Sequence, residues 1–256
     1  MADLVQKIQQ KLEAKTDASF ELRYSHKGDL YEIEFISDEP ASPLCSIFFE
    51  IINSEEFAEQ IWGLRLQSAD EGINGTNHWD LATLAENPKI VFTNLKYLVL
   101  PLNDKNHNKI IVTGNDHYNE NGILAKVLAK MPHLEFLQSP SAPNEDFFKH
   151  FSSIKTLHIQ AGYNHQNFIC NLAQSKNFEN LETLKFWDYA ETYVENYEQN
   201  TTSVSDYVAL FSSTHLLRLK KLHLYKTQLS HRDQTKLRSL PLALQLDELV
   251  IENAVC

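Results

Sequence analysis

The pattern L-x-x-L-x-L, with other apolar residues allowed in the leucine places, occurs seven times in this chain, and no other feature restricts its fold as strongly. The copies are Ile61-Leu64-Leu66, Leu95-Leu98-Leu100, Leu134-Leu137-Ser139, Ile154-Leu157-Ile159, Leu181-Leu184-Phe186, Leu219-Leu222-Leu224 and Leu246-Leu249-Ile251. The third is imperfect, with Ser139 in the last apolar place. Successive copies start 34, 39, 20, 27, 38 and 27 residues apart, so the array is irregular and carries insertions. Alternation over the last three places is what a strand with one buried face requires, and the leading residue anchors the turn into it.

Between the copies the periodicity turns helical. Residues 121–130 place Leu124, Val127 and Leu128 on one face and stop before Pro132. A short helix opens at Pro143 and runs towards Phe151, and 167–175 turns Phe168, Ile169 and Leu172 inward. Two more begin at Ser205 and Ser230, each a serine N-cap, with Asp233 three residues into the second. One strand-turn-helix unit cannot bury both its faces, whereas stacked units share a core and bend, because helices are wider than strands. The expected α/β fold is a curved solenoid, a horseshoe with parallel strands on the concave face and helices on the convex face.

Residues 1–60 lie outside the repeat and are expected to cap it, packed as one unit with the solenoid at 61–256. Residues 2–15 are amphipathic through Leu4, Ile8 and Leu12. Phe20 to Tyr24 and Leu30 to Ile36 alternate about Ser25-His26-Lys27-Gly28-Asp29, a β-hairpin signature, and 47–60 reads as one helix.

Composition and charge narrow the function. Of 256 residues 43% are hydrophobic and 11% aromatic, enough for a continuous core, and no run approaches the roughly 18 apolar residues of a membrane span. No basic-then-apolar leader opens the chain, so the expected compartment is the cytoplasm, away from membranes. Cys45, Cys170 and Cys256 are far apart and outside any CxxC pattern, so neither a disulfide framework nor a zinc site is expected. Residues 1–80 hold 16 of the 34 acidic but 6 of the 23 basic side chains, a net of −10. Such an acidic end attracts a basic partner. Nucleic acid would want a basic stripe, and the cluster of Arg218, Lys220, Lys221, Lys226, Arg232, Lys236 and Arg238 reads instead as a solvated strand and helix.

The spaced strand motifs, with Trp62-Gly63, the Asn94 to Leu98 segment, Met131-Pro132 leading to Leu137, and Leu181 to Trp187, resemble bacterial cytoplasmic leucine-rich-repeat proteins of ribonuclease-inhibitor-like architecture. The resemblance spans about residues 60–251. It implies a horseshoe and an interaction role without catalysis. Most copies depart from the family in lacking the asparagine after the strand, Asn103 excepted.

Catalytic motifs are sparse. The chain has no H-E-x-x-H, G-x-S-x-G, P-loop or G-x-G-x-x-G, and its 7 glycines leave little material for phosphate cradles, so no catalytic residue, metal or cofactor is assigned. His107 and His117 flank a Gly/Asn-rich insertion, 103–121, that reads as a solvated loop, and Glu55-Glu56 and Asp70-Glu71 read as helix-end or loop acids.

The outward strand places are richer. They align Arg65, Tyr97, Phe136, His158, Lys185, Trp187, His223 and Tyr225, joined by Val99, Gln138, Thr156, Thr183, Lys221, Glu248 and Val250. Tyr, Trp, Phe and Arg are the residues that anchor protein interfaces. The favoured reading is a non-enzymatic protein-binding module, an inhibitor or immunity-type protein for a basic partner. The alternative is an enzyme or small-ligand protein built on His158, His223 and nearby tyrosines. An insertion at 188–205, rich in tyrosine and glutamate, leaves at the same edge. The last strand, 246–251, is expected to offer an uncovered edge for a homodimer.

Overall fold

The computed structural model describes residues 4–37, 43–68, 77–102, 110–113, 120–162, 164–188 and 201–254. The chain opens with helix α1 (Leu4–Glu13), the hairpin β1 (Phe20–Lys27) and β2 (Leu30–Ser37), then α2 (Pro43–Ile52) and α3 (Glu55–Ala58). There follow β3 (Ile61–Ser68), β4 (Asn77–Asp80), α4 (Ala82–Ala85), β5 (Tyr97–Val99), β6 (Ile110–Thr113), α5 (Ile123–Ala129) and β7 (Phe136–Ser139). After a 3-10 turn at Glu145–Phe148 come β8 (Thr156–Gln160), α6 (Phe168–Gln174), β9 (Thr183–Trp187), α7 (Val204–Phe211), β10 (Lys221–Thr227), α8 (His231–Arg238), α9 (Pro241–Gln245) and β11 (Glu248–Asn253).

All seven motif sites are strands, namely β3, β5, β7, β8, β9, β10 and β11, and each pairs in parallel with the next. β2 pairs in parallel with β3 and antiparallel with β1, so the hairpin extends the same open sheet to nine strands among the described residues. Gly28, at φ +63°, lets the hairpin turn in two residues.

Register follows from the motif. Ile33, Leu64, Leu98, Leu137, Leu157, Leu184 and Leu222 are direct neighbours across successive strands, and all are buried. A second buried row carries Phe35, Leu66, Ser139, Ile159, Phe186 and Leu224. The helices pack in chain order against this face and join its core. In the imperfect copy Ser139 is fully buried, and its hydroxyl donates to the Ser141 carbonyl at 2.7 Å, which meets the demand of a polar group in the core. In β11 the ladder thins out, with Leu249 and Ile251 only half-buried.

Three local expectations need correction, and one helix was not foreseen. The helix expected over 47–60 is two helices, broken at Asn53-Ser54, because Ser54 takes extended backbone (φ −136°, ψ 157°). Helix α7 is capped by Ser203, whose hydroxyl accepts from Asp206 N–H, two residues before the serine that the pattern suggested. The insertion at 103–121 is more than a loop, since its β6 pairs in parallel with β4 in a separate two-stranded sheet. Helix α9 has no counterpart in the pattern reading, although Pro241 at its first turn is a start signal. His107, His117, Asp70, Glu71 and residues 189–200 lie outside the described residues.

A buried lysine ties three of the early helices together. The Lys130 ammonium donates to Asn53 Oδ1, to the Leu84 carbonyl at 2.8 Å and to the Glu86 carbonyl, linking the ends of α2, α4 and α5. Burial pulls its pKa down to about 8.

Candidate functional site

With helices on one face, the outward places of the strands make the other face. Parallel pairing sets them in rows. One row reads Gly63, Tyr97, Phe136, Thr156, Thr183, Lys221 and Glu248, and the next reads Arg65, Val99, Gln138, His158, Lys185, His223 and Val250. Trp187 and Tyr225 are neighbours one step further along. The structure thus brings all eight predicted binding residues onto this face, within two steps of one another along the strands.

Six of them join one line of rings. The Trp62 and Tyr97 centroids are 5.4 Å apart, Tyr97 and Phe136 6.1 Å, Phe136 and His158 5.0 Å, and His158 and Trp187 6.4 Å. Trp187 then stacks on Tyr225 at 4.9 Å and 20°, and Tyr225 meets His223 edge-on at 5.9 Å. The line crosses from β3 to β10, five interstrand steps, or about 24 Å at roughly 4.8 Å per step. Most of these contacts are edge-to-face, the arrangement favoured by the ring quadrupole. Trp62 went unpredicted because it stands one place before the outward position, at the strand entrance.

The two ends of the face are charged and internally paired. Towards the hairpin, Arg65 Nε donates to Glu32 Oε1 at 2.5 Å, Gln67 reaches Glu34 at 2.6 Å, and Arg23 lies 3.7 Å from Glu34 and 2.7 Å from Glu21. Gly63 makes room for the first pair: a Cβ there would fall 2.9 Å from Glu32 Cγ. Glu32 and Glu34 occupy the outward places of β2, so the same alternation that exposed Arg65 would have found them. At the other end, His223 Nδ1 is 3.0 Å from the Tyr225 hydroxyl, and its Nε2 is 2.9 Å from Glu248 Oε1 without hydrogen-bond alignment. Burial, then Glu252 and Glu248, push the Tyr225 phenol up, so it stays a protonated donor.

The middle of the face is unpaired. His158 and Lys185 are register neighbours on β8 and β9, and neither makes a hydrogen bond or ion pair among the described residues. Burial, then the charges of Lys185 and His223, lower the His158 pKa to about 4, so its imidazole is neutral.

A further row lies at the strand entrances. Glu135 is 3.0 Å from Lys96 and 2.8 Å from Lys155, and the Lys96, Glu135 and Lys155 carbonyls each accept two N–H groups from the next strand. In sequence the row continues through Glu182, Lys220 and Asp247, alternating in sign. Alternation of this kind favours one strand order and register over slipped ones.

Among the described residues no three His, Cys, Asp or Glu side chains gather as metal ligands, and no helix is long and apolar enough to cross a membrane. No protein-family model, curated protein or solved structure matches the chain.

Proposed function

We propose that the chain is a leucine-rich-repeat solenoid of ribonuclease-inhibitor-like, horseshoe form, and that it acts in the cytoplasm by docking another protein on the ring-lined face of its sheet. The observation that carries this reading is the unbroken line from Trp62 to His223. Half-exposed rings held by their neighbours lose little freedom on binding and offer large apolar area, as hot-spot residues do. The acidic first third steers a partner with a basic patch towards one end of the line, in the manner of an inhibitor or immunity-type protein. Co-purification tests the reading: a protein recovered in stoichiometric amount with wild type should be lost with Trp187→Ala and Tyr97→Ala, both still folded by circular dichroism. Retention by both variants would refute it.

A specific contact favours a second reading, an enzyme or small-ligand protein. The Glu248, His223 and Tyr225 side chains meet at general-base distances. Against it, Nδ1 of His223 is engaged by the Tyr225 hydroxyl and Nε2 is buried, so neither ring nitrogen is open to a substrate proton. The measurement that separates the readings is binding by His223→Gln, which the docking reading expects to lose less than Trp187→Ala loses.

A further inference from the structure

We propose that the docked protein places a carboxylate on Lys185, at the centre of the ring line, so that the contact surface has a cationic middle beside its acidic end. This rests on the docking reading and adds the chemistry of the group that is recognised.

Three observations lead there. In the outward rows of β3 to β11, among the described residues, Lys185 is the lysine or arginine that lacks a counter-charge: Arg65 is held by Glu32, while Lys221 shares Glu248 with His223, at 3.5 and 2.9 Å. Its register neighbours are His158 and His223, and the adjoining outward places hold Thr156, Thr183, Lys221, Trp187, Tyr225 and Gln160, none of them a carboxylate; Glu248, on the strand beyond, is taken up by His223 and Lys221. Asp188, next in sequence after Trp187, is buried and accepts from Tyr207 and Thr202. The acids nearest along the strands, Glu135 and Glu182, belong to the strand-entrance row, where Glu135 is taken by Lys96 and Lys155.

The surroundings suit a carboxylate better than a solvated lone lysine. The neutral His158 ring and the hydroxyls of Thr156 and Thr183 make no hydrogen bond among the described residues, so donors are available beside the ammonium. Phe136 and Trp187 flank the spot and exclude water once a partner lies over them, which strengthens a charge-assisted contact. A basic group from the partner would meet Lys185 as a like charge. The partner's basic patch therefore belongs at the hairpin end, over Glu21, Glu32 and Glu34, and its carboxylate belongs here.

The test uses the full chain and three acetylated hexapeptides, alternating Phe/Glu, Phe/Gln and Phe/Lys, with sodium acetate as the free-anion control. Affinity is read by calorimetry and the His158 ring by NMR. The Phe/Glu peptide should bind about three- to fivefold more tightly than Phe/Gln, the size of a partly exposed ion pair, and Phe/Lys more weakly than either. The His158 pKa should rise on binding, since an anion favours the imidazolium. Lys185→Gln should erase the Glu-over-Gln preference, Lys185→Arg should keep it, and Trp187→Ala should weaken both peptides alike. Equal binding of Phe/Glu and Phe/Gln, a preference that survives Lys185→Gln, no peptide binding at all, or an equal response to acetate would each overturn the carboxylate seat. So would a His158 pKa in the free chain already at its ordinary value or above, which would mean that a carboxylate of this chain sits there. Failure of the docking reading itself would show separately, as loss of the co-purified protein's dependence on Trp187 and Tyr97.

Discussion

Trp187 and Tyr225 are direct register neighbours on β9 and β10, and their rings stack at 4.9 Å and 20°, closer than any other pair in the ring line. The contact joins two repeats on the open face, so removing it should leave the core intact. In a double-mutant cycle, Trp187→Ala and Tyr225→Ala should couple by about 0.5–1.5 kcal/mol in urea unfolding. Strict additivity would mean that the rings are merely adjacent.

The two faces of one strand should respond oppositely to charge. Leu184 is fully buried, whereas Thr183 beside it faces outward. Leu184→Asp, like Leu98→Asp, leaves an unpaired charge in the shared core and costs several kcal/mol, enough to unfold the chain. Thr183→Asp should stay within about 0.5 kcal/mol of wild type. Melting curves that rank the two the other way would put the strand register off by one residue.

Lys130 should make stability rise with alkaline pH. Its pKa falls to about 8 in the folded chain, below that of the free side chain, so between those values the unfolded chain binds more protons. Stability from this group is therefore gained as pH rises through 8 towards 10.5, and it is smallest below 8. Urea midpoints at pH 7.5 and 9.5 should show the gain in wild type and lose it in Lys130→Met. A midpoint that falls over this range in wild type alone would contradict the sign.

Glu135 acts at the acid end of the scale. Hydrogen bonds from Lys155, then Lys96, hold its pKa below the ordinary carboxylate value, so its contribution is present at neutral pH and lost as pH falls through the ordinary range and below. Glu135→Gln should cost less than about 1 kcal/mol at pH 7, as partly exposed pairs do, and nothing at pH 2.5. An equal cost at both pH values would assign the effect to packing.

The Tyr207 hydroxyl donates to buried Asp188 at 2.8 Å, 19 residues back in the chain, and so closes the base of the insertion after β9. Tyr207→Phe removes the donor but leaves the carboxylate buried, which should cost about 1–3 kcal/mol. An unchanged unfolding midpoint would mean that Asp188 is satisfied without it.

The strands were legible from sequence because period-2 alternation after an anchoring leucine admits little else, and the rows of outward residues follow from that register. Leu184 and Lys185 show this together, one place apart and on opposite faces. The break at Asn53-Ser54 was hidden, since apolar residues continue through Ile51, Ile52 and Phe57 on either side of it. The β4-β6 pair was hidden for another reason: Asn77–Asp80 and Ile110–Thr113 are short and far apart, with no repeat to link them. At the site, the eight ring and charged positions could be read, but their pairing could not. Nothing in the order of residues says that Arg65 is neutralised by Glu32, 33 positions earlier, while Lys185 has no ion pair among the described residues.

The most direct measurement of the central claim is site-specific photo-cross-linking of the full chain in its native cell. A photoreactive residue at Val99 or Thr183, on the ring-lined face, is compared with one at Lys126 or Gln174, on the helices. The docking account predicts one shared protein adduct from Val99 and Thr183 and none of it from Lys126 or Gln174. That adduct arising from the helix positions, with none from Val99 or Thr183, would contradict it.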